Sequence, residues 1–345
     1  MISEKSNNLF FENQSEKESP VVRYKMIRHA ERTTSGELTE DGINDARIKG
    51  QNLKDSAEVV KGYSSMEKSD RAYKTVEIIS GATDIVSPIT EDNYKTRRRS
   101  GLFYDLSGPL MSRIDKYSKL INETVIKDYP DFDPKSSDPK WGKIRKEYQP
   151  IGIKGIIVDN DLRHILAMGT AHQLYEMIRI GSRYTAYRDK KSTEDQSQII
   201  KKDVVLMEGT HGGFLESLLK KALVRVDSEG REKLGFSAYI DEQGNPELES
   251  SLGGILKPGE SFEIVQKINQ KAEGRLPIFF EDKNRFPGEK CFIDIDKIKI
   301  LSEQFNVYYD KFKEWQKNNS LDKELLICLD KLKDDFATAY EENKK

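Results

Sequence analysis

Cysteine is scarce in this chain. Its two residues in 345, Cys291 and Cys328, are too few and too far apart for a disulfide framework or a zinc cluster. They read as unpaired thiols in a reducing compartment. Long apolar runs are missing as well, and no stretch approaches the roughly 20 residues of a membrane span. The first twenty residues have neither the basic start nor the apolar segment of a secretory signal. The expectation is therefore a flexible polar tail over residues 1–20, a cytoplasmic location and no membrane partner. Neither sign of charge is in excess. With 57 Lys and Arg against 59 Asp and Glu, the protein has no overall basic field to draw nucleic acid. Histidine is also rare, at four residues, so the place of each one is informative.

What is present is a regular alternation. Val21–Ile27 reads as a strand. Thr39 offers an N-cap with Glu40 and Asp41 behind it, and Ile43, Ala46, Gly50, Leu53 and Ala57 follow at helical spacing. Val59–Ser64 reads as a second strand, and Ser69-Asp70 caps a second helix with Ala72, Val76 and Ile79 on one face. Strand, helix, strand, helix is the signature of a parallel sheet. Residues 109–141 carry Asp-Pro and Tyr-Pro dipeptides, which favour turns over long elements. Asp161–Tyr187 reads as a long helix or helix pair. Val204–Met207 is a short apolar run of the kind that is buried on both faces of a sheet.

Strand-like segments recur near Phe236–Ile240, Phe262–Val265, Pro277–Phe280 and Cys291–Ile295, as edge strands or an antiparallel meander. The tail carries an apolar stripe of Leu325, Leu329, Leu332 and Phe336, expected to pack on its own domain. The fold class that follows is α/β, a three-layer sandwich with a mostly parallel central sheet flanked by helices. To it are added a helical insert and a terminal β and helical extension. The domains are the tail, an α/β domain over 21–300 with an insert or cap at about 109–195, and a helical extension over 301–345.

Chemistry concentrates where strands end. In open α/β sheets ligands bind beyond the carboxyl ends of the strands. Arg28-His29 ends the first strand, and Gly209-Thr210-His211-Gly212-Gly213 follows the apolar run near 205. A histidine that attacks phosphorus must be neutral, and neighbouring guanidinium groups disfavour its protonation. The same arginines bind phosphate oxygens bidentately. Arg71 opens a helix, where a cation opposes the helix dipole, so a role other than helix stability is implied. The glycines after His211 allow close approach of a ligand, and the following amides support an anion. His164 and His172 fall in the helical insert and read as structural or exposed. Arg97-Arg98-Arg99 reads as a solvated run.

Four blocks together carry a resemblance. Arg28-His29-Ala30-Glu31-Arg32, Leu38-Thr39-Glu40-Asp41-Gly42, Ser69-Asp70-Arg71-Ala72 with the residues to Ile79, and Thr210-His211-Gly212-Gly213 are similar to the histidine phosphatase superfamily. The nearest branch is that of the phosphoglycerate mutases and related phosphatases. The resemblance covers residues 21–108 and 200–225. It implies that His29 is phosphorylated, that Arg28, Arg71 and His211 form the phosphate pocket, and that no metal or other cofactor is needed. It further implies an acid that protonates the leaving oxygen. Asp105 takes that role, with Glu91, Asp92 and Glu208 as rivals. After the first motif the chain departs from the mutase pattern, with Glu31-Arg32-Thr33-Thr34-Ser35, and Arg32 adds either a substrate contact or a solvated charge.

The resulting expectation is a metal-independent phosphomonoesterase acting through phosphohistidine on a phosphorylated small molecule or protein. Phosphoryl transfer of the mutase type and a catalytically silent phospholigand-binding module stand as alternatives.

Overall fold

The computed structural model describes residues 20–33, 37–64, 71–83, 97–98, 110–134, 139–191, 202–235, 239–240, 246–247, 255–268, 270–317 and 322–342. The chain begins with β1 (Val21–Arg28), α1 (Glu40–Lys54), β2 (Ala57–Ser64), α2 (Arg71–Ala82) and β3 (Arg97–Arg98). Three helices follow, α3 (Met111–Asp128), α4 (Pro139–Val158) and α5 (Asn160–Lys191). Next come β4 (Asp203–Thr210), α6 (Phe214–Ala222), β5 (Leu223–Val226), β6 (Glu232–Leu234), β7 (Tyr239–Ile240) and β8 (Pro246–Glu247). β9 (Ser261–Lys267), β10 (Arg275–Phe280), β11 (Lys290–Asp294), α7 (Ile295–Lys317) and α8 (Asp322–Glu342) complete it.

Strand alternation builds the layers. Successive side chains of a strand point to opposite faces, so a strand buried on both faces needs two apolar sets. In β1 these are Val22, Tyr24 and Met26 against Ile27, and in β4 Val204 and Leu206 against Val205 and Met207. The first set packs with α5, α6 and α7, through residues such as Leu174, Met177, Leu215 and Phe305. The second packs with α1 and α2 through Ala46, Leu53, Val76 and Ile79. Helices therefore cover both faces of an open α/β sheet. Thr39 caps α1 as its sequence predicts, its Oγ1 accepting from Gly42 N at 3.0 Å, a contact worth about 1 kcal/mol.

The sheet is mixed rather than mostly parallel. Its order is β3-β2-β4-β1-β9-β10-β11-β5-β6. β3, β2, β4 and β1 pair in parallel, whereas β1–β9 and every pairing beyond it are antiparallel. For three of these pairs the reason lies in the connections. A parallel neighbour needs a crossover of roughly a dozen residues or more, and the turns joining β5 to β6, β9 to β10 and β10 to β11 are too short for one. Of the expected strand-like segments, those near Phe262, Pro277 and Cys291 form the antiparallel β9, β10 and β11, with β9 docked on β1 inside the sheet. Tyr239–Ile240 instead pairs with Pro246–Glu247 in a separate two-stranded sheet, and residues 236–238 lie outside the described residues.

A second correction concerns residues 109–141. The expected turns give way to α3, one continuous helix, because no proline falls within it. Pro130 and Pro134 lie in the connection and Pro139 is the first residue of α4, where its missing N–H costs nothing. α3 and α4 approach closely: a methyl at Gly152 or Gly155 would press on Ile121 or Tyr117. The segment 160–191 is a single helix, and it forms a layer of the sandwich. Arg97 and Arg98 form the short edge strand beside Tyr63 and Ser64; Arg99 and Ser69-Asp70 lie outside the described residues.

α7 and α8 share the core of α5. Leu325, Leu329, Leu332 and Phe336 are buried in it, as the apolar stripe anticipates. His172 stacks on Phe305 at 4.3 Å between ring centroids. His164 is fully buried; its Nε2–H donates to Gln304 Oε1 at 3.1 Å, and Gln304 Nε2 donates to Leu332 O at 2.7 Å. Burial above all, then Lys221, pushes the His164 pKa down to about 3. An unfolded histidine takes up its proton near pH 6.5, so the stability due to the neutral ring is full above that pH. It is lost progressively as pH falls toward 3. Between pH 7 and pH 4.5 the unfolding free energy of His164→Gln should fall by ~2–3 kcal/mol less than that of the native chain. Urea titrations at the two pH values measure the difference, and parallel losses would refute it.

Candidate active site

The parallel register of β1 and β4 sets Arg28 opposite Thr210. Both chains then leave the sheet together, and His29 N donates to Thr210 O at 2.8 Å. His29 and His211 consequently emerge side by side. Their ring centroids are 5.0 Å apart with the planes inclined at 63°. Both side chains are buried, at 6% and 4% exposure.

Hydrogen bonds decide where the protons sit. His29 Nδ1 faces the carbonyl of Ala30 at 2.7 Å. A carbonyl only accepts, so Nδ1 carries the hydrogen and the neutral ring has its lone pair on Nε2. Arg71 Nη2 lies 3.3 Å from His211 Nδ1. A guanidinium only donates, so His211 Nδ1 accepts and its hydrogen is on Nε2. The pair therefore presents one lone pair and one donor.

Charge reinforces this division. Burial first, then the charge of a protonated His211, then Arg71 and Arg28, drive the His29 pKa down to about 2, against a smaller opposing effect of the Ala30 hydrogen bond. The ring is neutral across the physiological range. Arg28 is itself buried at 5% exposure, and burial lowers its pKa while Glu216 and Glu260 act to hold the charge. Its Nη1 donates to Leu256 O. The Nε groups of Arg28 and Arg71 are buried and have no hydrogen-bond partner among the described residues.

Three supports were not legible as site residues. Thr75 lies one turn into α2. Its Oγ1 donates to Arg71 O at 2.8 Å and accepts from Ala30 N at 3.0 Å, tying the arginine helix to the histidine loop. The segment 255–260 clamps the end of β1: Glu260 O accepts from Arg28 N at 3.0 Å, and Gly259 N donates to His29 O at 2.9 Å. Glu216 is the third. A glutamate three residues after an N-cap is the sequence mark of a capping box, and Glu216 Oε2 indeed accepts from Gly213 N at 2.7 Å.

The two glycines after His211 have separate reasons. A methyl at Gly212 would lie 2.9 Å from Arg28 Cζ and 2.8 Å from Ile153 Cδ1, so only glycine lets arginine and α4 close on this turn. Gly213 has φ +91°, in the left-handed region. Ile153 and Ile156 bring α4 against the turn.

Other expected site residues fall differently. Arg32 is exposed and forms an isolated antiparallel bridge with Leu38. Glu208 is buried in β4 between Met26 and Tyr63, two residues before the end of the strand. Asp105, Glu91 and Asp92 lie outside the described residues. A separate cleft of about 530 Å3, lined by Tyr175, Arg179, Arg183 and Lys271, lies toward the opposite end of β1, where Gln266 pairs with Val22.

Among the described residues no group of three His, Cys, Asp or Glu is arranged to hold a metal ion. No described helix is long and apolar enough to cross a membrane. Comparison with protein-family models and with curated proteins gives no match.

Proposed function

We propose that this protein is a phosphomonoester hydrolase of the histidine phosphatase type, with His29 as the nucleophile. The observation that carries the reading is the buried pair of neutral rings at the ends of β1 and β4. One has its lone pair on Nε2, the other a hydrogen on Nε2, and Arg28 and Arg71 stand beside them. The two buried Nε donors of those arginines also fit an anion whose oxygens would complete their hydrogen bonding.

In the proposed reaction His29 Nε2 forms a bond to phosphorus as the ester P–O bond breaks. An acid, Asp105 in this reading, gives its proton to the departing alkoxide. Water then attacks phosphorus, giving a proton back to that carboxylate, the N–P bond breaks, and inorganic phosphate leaves. Arg28, Arg71 and the His211 Nε2–H neutralise the charge that spreads over the phosphoryl oxygens in both steps. The substrate is a phosphorylated small molecule or protein, and Ile153 and Ile156 of α4 form the wall of the cap that selects it.

Incubation with a labelled phosphomonoester and acid-free quenching should yield phosphate on the protein that is stable to base and labile to acid, mapping to His29. Label on another residue would overturn the assignment. A tight complex with no label would favour a silent binding module.

A further inference from the structure

Arg28 is a buried cation that must be held in place, and its surroundings offer two carboxylates. Glu260 is already engaged. It forms a buried ion pair with Arg285, with Arg285 Nη2 2.8 Å from Glu260 Oε2, and the same oxygen accepts from Lys257 N at 2.7 Å. Glu216 differs. It is fully buried at the start of α6; burial pushes its pKa up, while Arg28 and the backbone amides it accepts from act to keep it ionised. Its two oxygens are divided between two backbone amides: Oε2 takes Gly213 N at 2.7 Å and Oε1 takes Leu256 N at 3.1 Å. Leu256 in turn offers its carbonyl to Arg28 Nη1. One carboxylate thus joins the turn after His211 to the residue that orients the Arg28 guanidinium.

We propose that Glu216 is the positioning residue of the anion pocket. It aims Arg28 through Leu256 and supplies the buried countercharge that keeps the guanidinium in place while the pocket is empty. This rests on the reading of the site as a phosphate pocket. Glu216 touches no reacting atom, so its loss acts on anion capture through Arg28, whose guanidinium it orients by way of Leu256.

Calorimetric titration with inorganic phosphate and with orthovanadate tests this in the full-length chain. Glu216→Gln keeps the shape and removes the charge. Glu216→Asp keeps the charge but is too short to reach both amides, and it retains the countercharge if the glutamine variant does not fold. Each should weaken anion binding by about tenfold or more, the size of a lost charge-assisted bond. Neither should weaken it further when Arg28 is already Met, because a residue acting through the Arg28 guanidinium is silent without it. Wild-type affinity in either folded variant overturns the proposal, and so does an equal loss in the Arg28→Met background. If the native chain binds neither anion, the phosphate-pocket reading fails and this proposal falls with it. Native binding combined with unaffected variants overturns this proposal alone.

Discussion

His29→Ala should lose turnover of p-nitrophenyl phosphate by about 10⁴-fold or more, the scale of removing a covalent nucleophile. Its unfolding free energy should stay within about 2 kcal/mol of the native value, the range of an ordinary substitution. The two expectations are separable because of how His29 is held. Its backbone supports the fold through the N–H to Thr210 and the carbonyl to Gly259, and alanine keeps both. Its side chain makes one local bond, to Ala30 O, and otherwise contributes a neutral ring among cations. Activity assay and thermal unfolding of one preparation check both parts. Retained turnover would move the chemistry away from His29, and collapse of the fold would show the ring to be structural.

Arg285→Ala should be among the most damaging single changes outside the reacting groups. The Glu260–Arg285 pair is buried at both ends, with side-chain exposures of 7% and 5%, and removing the cation leaves a carboxylate stranded. Breaking a buried pair in this way costs about 3–5 kcal/mol, a large fraction of the 5–15 kcal/mol typical of a domain. The damage should reach the site as well. Arg285 also ties Ile255 O at 3.0 Å, and the segment it anchors carries the Leu256, Gly259 and Glu260 groups that hold Arg28 and His29. Removing both charges in Glu260→Gln/Arg285→Met should recover most of the stability, since a neutral pair has no desolvation cost to balance. Urea denaturation of the three proteins decides it. A loss below about 1 kcal/mol in Arg285→Ala would mean that the pair behaves as a solvated surface bridge.

The legible part of the site was the part written in contiguous motifs. Arg28 and His29 close an alternating strand, and His211 sits in a glycine turn after an apolar run, so each marks a strand end without any knowledge of the other. The supports were illegible because each joins distant segments. Arg28 meets Leu256 across 228 positions, and Ala30 meets Thr75 across 45. Nothing in the local pattern around Leu256 marks it as a ligand of an arginine. Glu216 left half a trace: its spacing from Gly213 announces a helix start, but the bond to Leu256 is invisible in one dimension.

By itself the sequence determined the elements with strong periods: β1, α1, β2, α2, the buried run of β4, and the apolar stripe of α8. Backbone periodicity and caps are local properties, and a window of a dozen residues contains them. Only the tertiary structure decided that β9 pairs antiparallel with β1 in the middle of the sheet, that α5 is one of its covering layers, and that Glu216 and the 255–260 segment brace Arg28. Pairing partners and buried countercharges depend on which surfaces meet, and a strand or carboxylate has no local signature for the neighbour it will find.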